Sequence, residues 1–123
     1  MKNYFIVILL IAFNYAAPEY RKIKLENDLT VILVSDDNGG AYIIWVDYRD
    51  EPDNGDIYAQ HINAQGIISW GIEGVPLTTV EGKQVSPNMS KDGEGGAFVI
   101  WNDQSASTLG YIYGTHHSND GSC

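Results

Sequence analysis

The sequence predicts an all-β protein built from antiparallel, four-stranded repeat units, about two of them, with the second incomplete. Two observations predict it. The first is an internal duplication with a spacing of 56 residues, which Ser35–Asp47 and Lys91–Asp103 reveal: 7 of 13 positions are identical, namely an Asp, two Gly, an Ala, an Ile, a Trp and a final Asp. A further match joins Gly55–Gly66 to Gly110–Gly121 at a spacing of 55, with 5 of 12 identical, including an Ile-Tyr pair and His61/His116. The second observation is that each copy consists of short runs of β-branched and aromatic residues separated by clusters of Gly, Asn, Asp and Pro, the pattern of strands and turns.

Taken in order, Leu29–Val34 reads as a strand, ended by the turn cluster 35–40. Gly39-Gly40 would let the backbone take positive φ in a tight reversal. Ala41–Val46 is apolar at every position, as suits a strand covered on both faces. Residues 47–55, with Pro52 and Asn54-Gly55, read as a loop; Asp56–Ile62 as a third strand; 63–66 as a turn; and Ile67–Trp70 as a fourth strand. The second copy supplies strands over 84–89, 97–101 and 112–116 and is expected to lack its fourth. A unit of this kind cannot bury both faces of its inner strand alone, so such units are expected to stack, as the four-stranded blades of a propeller do.

Ahead of the repeats, Lys2 and the uncharged run 4–13, followed by Ala16-Ala17-Pro18, read as a signal peptide over residues 1–16. Ten apolar residues fall short of the roughly 20 that a membrane-spanning helix needs. The expected organisation is therefore a leader over 1–16, a first unit over 17–80 and a second over 81–123, in a secreted protein without a membrane span after cleavage. Cys123 is the single cysteine, so no disulfide closes within the chain. Removal of the leader takes Lys2 with it and leaves six basic groups against 16 acidic ones. That surface repels phosphate backbones and anionic lipid, which argues against nucleic acid or a membrane surface as a partner.

The segments Asn38-Gly39-Gly40-Ala41 to Trp45-Val46-Asp47-Tyr48-Arg49, Asp56 to Trp70, and Gln84-Val85-Ser86-Pro87 together resemble the tandem β-propeller-type repeats of large secreted bacterial proteins. The resemblance covers most of residues 29–121 and implies a propeller-like module of the cell envelope or its exterior, with no activity attached. The second copy departs from the pattern, with Gln104-Ser105 in place of Tyr48-Arg49 and Tyr111 in place of Asp56. A looser similarity links Ser35-x-Asp37-x-Gly39-x-Ala41-Tyr42 to the Asp-box turn of sialidase-like propellers, a folding element whose carboxylate accepts turn amides.

Candidate chemistry is sparse. Gripping a carboxylate substrate takes a cluster of arginines, and the chain has only Arg21 and Arg49. Asp47, Asp50, Glu51, Asp53 and Asp56 crowd one loop and offer the oxygen ligands that Ca²⁺ takes, but Pro52 interrupts the spacing and the second copy keeps only Asp103. These residues are weak calcium candidates beside the plainer reading of a solvated acidic loop. Asp47 and Asp103, each two residues after a Trp, are expected to accept backbone amides at a strand end. His116 and His117 should point to opposite faces of a strand and so cannot chelate one ion together. Trp45 and Trp101 sit in apolar strands and are expected in the core, which leaves Tyr48 and Trp70 as exposed candidates for stacking against a ligand.

The expected function is that of a non-enzymatic module for scaffolding or for recognition of protein or glycan, whose partners are further β-repeats or its own copies. The alternative is a piece of a secreted hydrolase with its catalytic residues elsewhere. The core assignment is testable: Trp45→Ala should cost roughly 3–5 kcal/mol in denaturant unfolding, and a negligible loss would make Trp45 a surface platform instead.

Overall fold

Two antiparallel sheets make up the fold, and each repeats the strand–turn–strand unit read from the sequence. The computed structural model describes residues 20–26, 29–50, 52–107, 109–118, 120 and 122–123; the expected leader over 1–16 lies outside them. The described residues contain eight strands and no helix: β1 (Tyr20–Lys24), β2 (Thr30–Ser35), β3 (Ala41–Asp47), β4 (Asp56–Ile62), β5 (Val75–Thr78), β6 (Gln84–Lys91), β7 (Ala97–Asp103) and β8 (Tyr111–His117). Strands β1 to β5 form one sheet in sequence order, and β6 to β8 form the other. Because neighbours in sequence are neighbours in space, short turns suffice for most of the antiparallel connections.

The duplication is visible in the pairing itself. In β3 and β4, Tyr42 faces His61, Ile44 faces Ala59, Trp45 faces Tyr58 and Asp47 faces Asp56. In β7 and β8, the counterparts Phe98 and His116, Ile100 and Gly114, Trp101 and Tyr113, and Asp103 and Tyr111 pair in the same register. Side chains alternate between faces along a strand, so a shared register sends equivalent residues of the two copies to equivalent faces.

Those faces have different fates. The inner face of the first sheet carries Ile32, Val34, Tyr42, Ile44, Ile57 and Ala59, and it packs on Met89, Ala97, Val99 and Trp101 of the second sheet in one continuous core. Strand β6 lies across β2, β3 and β4 and forms the seam. The opposite face of the first sheet gathers a smaller cluster around Val31, Ile43 and Trp45, with Leu33, Tyr58 and Ile62 against it. Strand β3 is thus buried on both faces, as its uninterrupted apolar run predicts. In β7, the equivalent run alternates between buried and exposed: Ala97, Val99 and Trp101 face the first sheet, and Phe98 and Ile100 on the other face are exposed.

Three features of the strand layout differ from the sequence reading. Strand β1 extends the first sheet by pairing Tyr20–Lys24 with Thr30–Val34, where the sequence reading placed no strand. The expected fourth strand at 67–70 is reduced to a single bridge between Ile62 and Ile68, and Val75–Thr78 pairs with β4 in its stead. The cause is Gln60: its Oε1 accepts the Trp70 amide at 2.9 Å and its Nε2 donates to the Gly71 carbonyl at 2.6 Å, which turns the chain inward at Trp70. Thirdly, β6 is irregular between Val85 and Asn88, where Pro87 cannot donate to the ladder and Ser86 takes φ 53°.

The double glycines divide their work. Gly39 and Gly95 take φ of 85° and 93°, whereas Gly40 and Gly96 have no room for a side chain. A Cβ at Gly40 would lie 2.3 Å from the Ile62 carbonyl oxygen, and one at Gly96 would lie 2.5 Å from that of His117. The sequence reading assigned positive φ to the pair as a whole; at the second glycine the constraint is close backbone approach. Gly40→Ala and Gly96→Ala should therefore each destabilise by about 1–3 kcal/mol in urea melts, and unchanged midpoints would refute the close approach.

Candidate functional site

The polar features that recur in both copies lie at the two ends of the β3–β4 and β7–β8 hairpins. At one end, the turn into β3 is closed by Asp36. Its Oδ1 accepts the amides of Asn38 at 2.8 Å and Gly40 at 2.6 Å, and its Oδ2 meets His61 Nε2 at 2.7 Å. The second copy repeats this bond for bond. Asp92 Oδ1 accepts the amides of Glu94 at 2.7 Å and Gly96 at 2.9 Å, and its Oδ2 meets His116 Nε2 at 2.6 Å. One carboxylate thus satisfies two turn amides and ties the turn to a neighbouring strand. The Asp-box similarity drew attention to Asp37; the residue that accepts the turn amides is Asp36.

The electrostatics follow from these bonds. Burial pushes the Asp36 carboxyl up, but the His61 contact and the Gly40 and Asn38 amides outweigh it and hold the group below the usual carboxylate range. At Asp92 the His116 bond comes first, then the Glu94 and Gly96 amides, and together they bring the carboxyl down to about 2. The two histidines differ in surroundings: the His61 side chain is buried, while that of His116 is largely open to solvent. His117 turns to the opposite face from His116, as expected of adjacent strand residues, and its ring packs near Trp70.

Around the first of these turns the two sheets meet. The Tyr42 hydroxyl donates to the Gly95 carbonyl in the turn of the second copy, and Lys91 Nζ reaches Asp37 Oδ1 at 2.6 Å. Tyr42 also packs against His61 and Trp70, with ring centroids 4.7 and 5.6 Å away. Burial, together with the carboxylates Asp36, Asp92 and Asp37, raises the Tyr42 phenol to about 12, so it stays a donor throughout the physiological range. Trp70, expected to be exposed for stacking, is only 5% exposed and belongs to this core. Tyr48 is 45% exposed, which leaves it as the open aromatic of the two candidates.

At the other end of the hairpin, Asp47 accepts the Arg49 amide at 2.9 Å through Oδ1, while Trp45 Nε1 and Arg49 Nη2 donate to its Oδ2 at 2.8 and 2.5 Å. Asp103 likewise accepts the Ser105 amide at 2.8 Å, as the strand-end reading expects. The Arg49 guanidinium lies over the Tyr58 ring, 4.4 Å from its centroid, and Tyr58 stacks on Trp45. Partial burial raises the Asp47 carboxyl, and the bonds from Arg49 and Trp45 more than reverse the shift. The second copy keeps the Trp101–Tyr113 stack but has no arginine, and the buried Trp101 Nε1 finds no partner among the described residues.

This arrangement bears directly on the calcium candidates. Both oxygens of Asp47 are engaged by donors, and Arg49 places a positive charge where a cation would need to approach. Asp50 and Asp53 are exposed in the loop, Asp56 faces Asp47 across the strand pair, and Glu51 lies outside the described residues. Among the described residues, no three His, Cys, Asp or Glu side chains come together as a metal ion requires.

The aspartate–histidine pairs are what the sequence reading missed. Their signal was present, because Asp36/Asp92 and His61/His116 are identical in the two copies at spacings of 56 and 55. Two polar residues kept in both copies, one in the turn that enters a strand and the other near the end of the strand paired with it, are candidates for a mutual bond. The pairing has a pH consequence. A carboxyl at about 2 in the folded chain and near 3.8 in the unfolded one stabilises fully above about pH 4, and the effect is lost as the pH falls through about 2. Urea midpoints should therefore fall on acidification across that window, and less steeply in Asp92→Asn; an identical slope in that variant would contradict the assignment. No protein-family model, curated protein or solved structure matches the chain.

Proposed function

We propose that the protein is a non-enzymatic, exported β-repeat module, propeller-like in the stacking of its units, that serves as a scaffold or a recognition surface. One observation carries this reading: the acidic and histidine residues present in both copies are occupied in holding turns and strand ends. Asp36 and Asp92 close the turns with His61 and His116, and Asp47 and Asp103 hold the loops that leave β3 and β7. A catalytic acid, base or nucleophile needs to be aimed at a space where a reacting atom can sit. These groups are bonded to turn and loop amides and to neighbouring side chains.

Recognition fits the exposed surface better. Tyr48 stands open beside the acidic loop, a ring with a polar tip of the sort that stacks on a sugar or anchors a protein contact. Export accords with the apolar run over residues 4–13 and with a net negative surface that favours solubility. Among the described residues, no helix is long and apolar enough to cross a membrane.

The test is a panel of glycosides and peptides assayed with purified residues 17–123, alongside a glycan and protein binding array. No turnover is expected, and binding, where found, should weaken about tenfold in Tyr48→Ala, the worth of a modest aromatic anchor. Turnover that Asp47→Asn or Asp36→Asn abolishes, in variants that stay folded, would overturn the reading in favour of a hydrolase.

A further inference from the structure

The first sheet shows what the second sheet lacks. Its inner face, with Tyr42, Ile44, Ile57 and Ala59, is covered by the Ala97, Val99 and Trp101 face of the second sheet. Shared register places Phe98, Ile100, Ile112 and Gly114 at the equivalent positions of the second sheet. There the same face is open: Phe98 is 53%, Ile100 50% and Ile112 69% exposed. Asn88, Ser90 and Asn102 pair with these residues across the strands, so an apolar centre has polar neighbours, the composition of a docking surface.

The contact inside the chain joins the face of one copy to the opposite face of the next. It is therefore heterologous, and nothing in its geometry ends the series after two units. We infer that the Phe98, Ile100 and Ile112 face of the second sheet docks a further sheet of this same repeat, through the face that bears that sheet's counterparts of Ala97, Val99 and Trp101. The turn hydrogen bonds point the same way. Tyr42 donates from the inner face of the first sheet to Gly95 in the next unit, and Lys91 reaches back to Asp37. Phe98 stands in the Tyr42 position without a hydroxyl, packed 4.7 Å from the His116 ring, so the next junction relies on apolar contact and lacks that polar tether. This identifies the surface and partner of the scaffold proposed above, and rests on that reading.

The experiment compares residues 17–123 with a longer chain in which residues 64–118 are appended after Ser118, which supplies one more unit in the same connection; the appended copy carries Phe98→Glu, Ile100→Glu and Ile112→Glu, so that its own outer face is not apolar. The readouts are binding of a hydrophobic dye, sedimentation, and deuterium uptake at the amides of β7 and β8. Docking is expected to abolish the dye signal, to keep the longer chain monomeric and to slow uptake in the original β7 and β8 roughly tenfold or more. Phe98→Glu with Ile100→Glu in the original unit, at positions exposed in the shorter chain, should leave the shorter chain's melting unchanged and erase every gain in the longer one. Unchanged dye binding and uptake in the longer chain would overturn the inference. So would a dimer of residues 17–123 through this face that persists in the longer chain, which would assign the face to a second copy. Enzymatic turnover would defeat the scaffold reading while leaving these readouts untouched, so the two failures are distinguishable.

Discussion

Everything in this fold depends on burying one face of the first sheet against the opposite face of the second. An antiparallel sheet with an apolar face is not stable with that face in water, and a three-stranded sheet such as β6–β8 has little else to hold it. The seam along β6 solves the problem for both sheets at once. It buries Tyr42 and Ile44 from one side and Met89, Val99 and Trp101 from the other. The polar bonds follow from that packing: the hydroxyl of Tyr42 reaches Gly95 only because the sheets lie against each other, and Trp70 turns inward because Gln60 pins the chain beside the same core.

The turns are the second level of this construction. A tight reversal leaves amides without strand partners, and a single aspartate accepts two of them in each copy while a histidine from the neighbouring strand holds the aspartate in place. The glycine that follows is obligatory because the neighbouring carbonyl lies where a side chain would begin. Asp, Gly-Gly and His recur at the same spacings for this one reason. In the second copy the stack of Trp101 on tyrosine survives, while the indole hydrogen bond that Trp45 gives to Asp47 has no counterpart among the described residues, although Asp103 is present.

The central strands of each copy were legible in the sequence because their apolar runs and turn clusters repeat. The strand Asp56–Ile62 was read to the residue, and the all-β antiparallel class with it. Strands β1 and β5 were not legible. Tyr20–Lys24 carries three basic residues and has no counterpart in the repeat, and Val75–Thr78 contains Pro76, so neither stands out from local composition. Trp70 was misread for a related reason: its burial is decided by a side chain ten residues earlier, not by its neighbours. The faces of β7 were equally hidden, because β3 and β7 have nearly the same residues and differ in what lies against them. Among the site residues, Asp47 and Asp103 follow from local spacing, whereas the partners of Asp36 and Asp92 lie 25 and 24 residues away.

The dependence of both sheets on one seam is best tested by native-state hydrogen exchange of residues 17–123, followed at the amides of β3 and β7 under increasing urea. If the seam holds the two units together, both strands exchange through the same global opening and share one free energy and one denaturant slope. Exchange of β7 through a smaller, separate opening while β3 stays protected would contradict it, and would mean that the second copy folds on the first without the first relying on it.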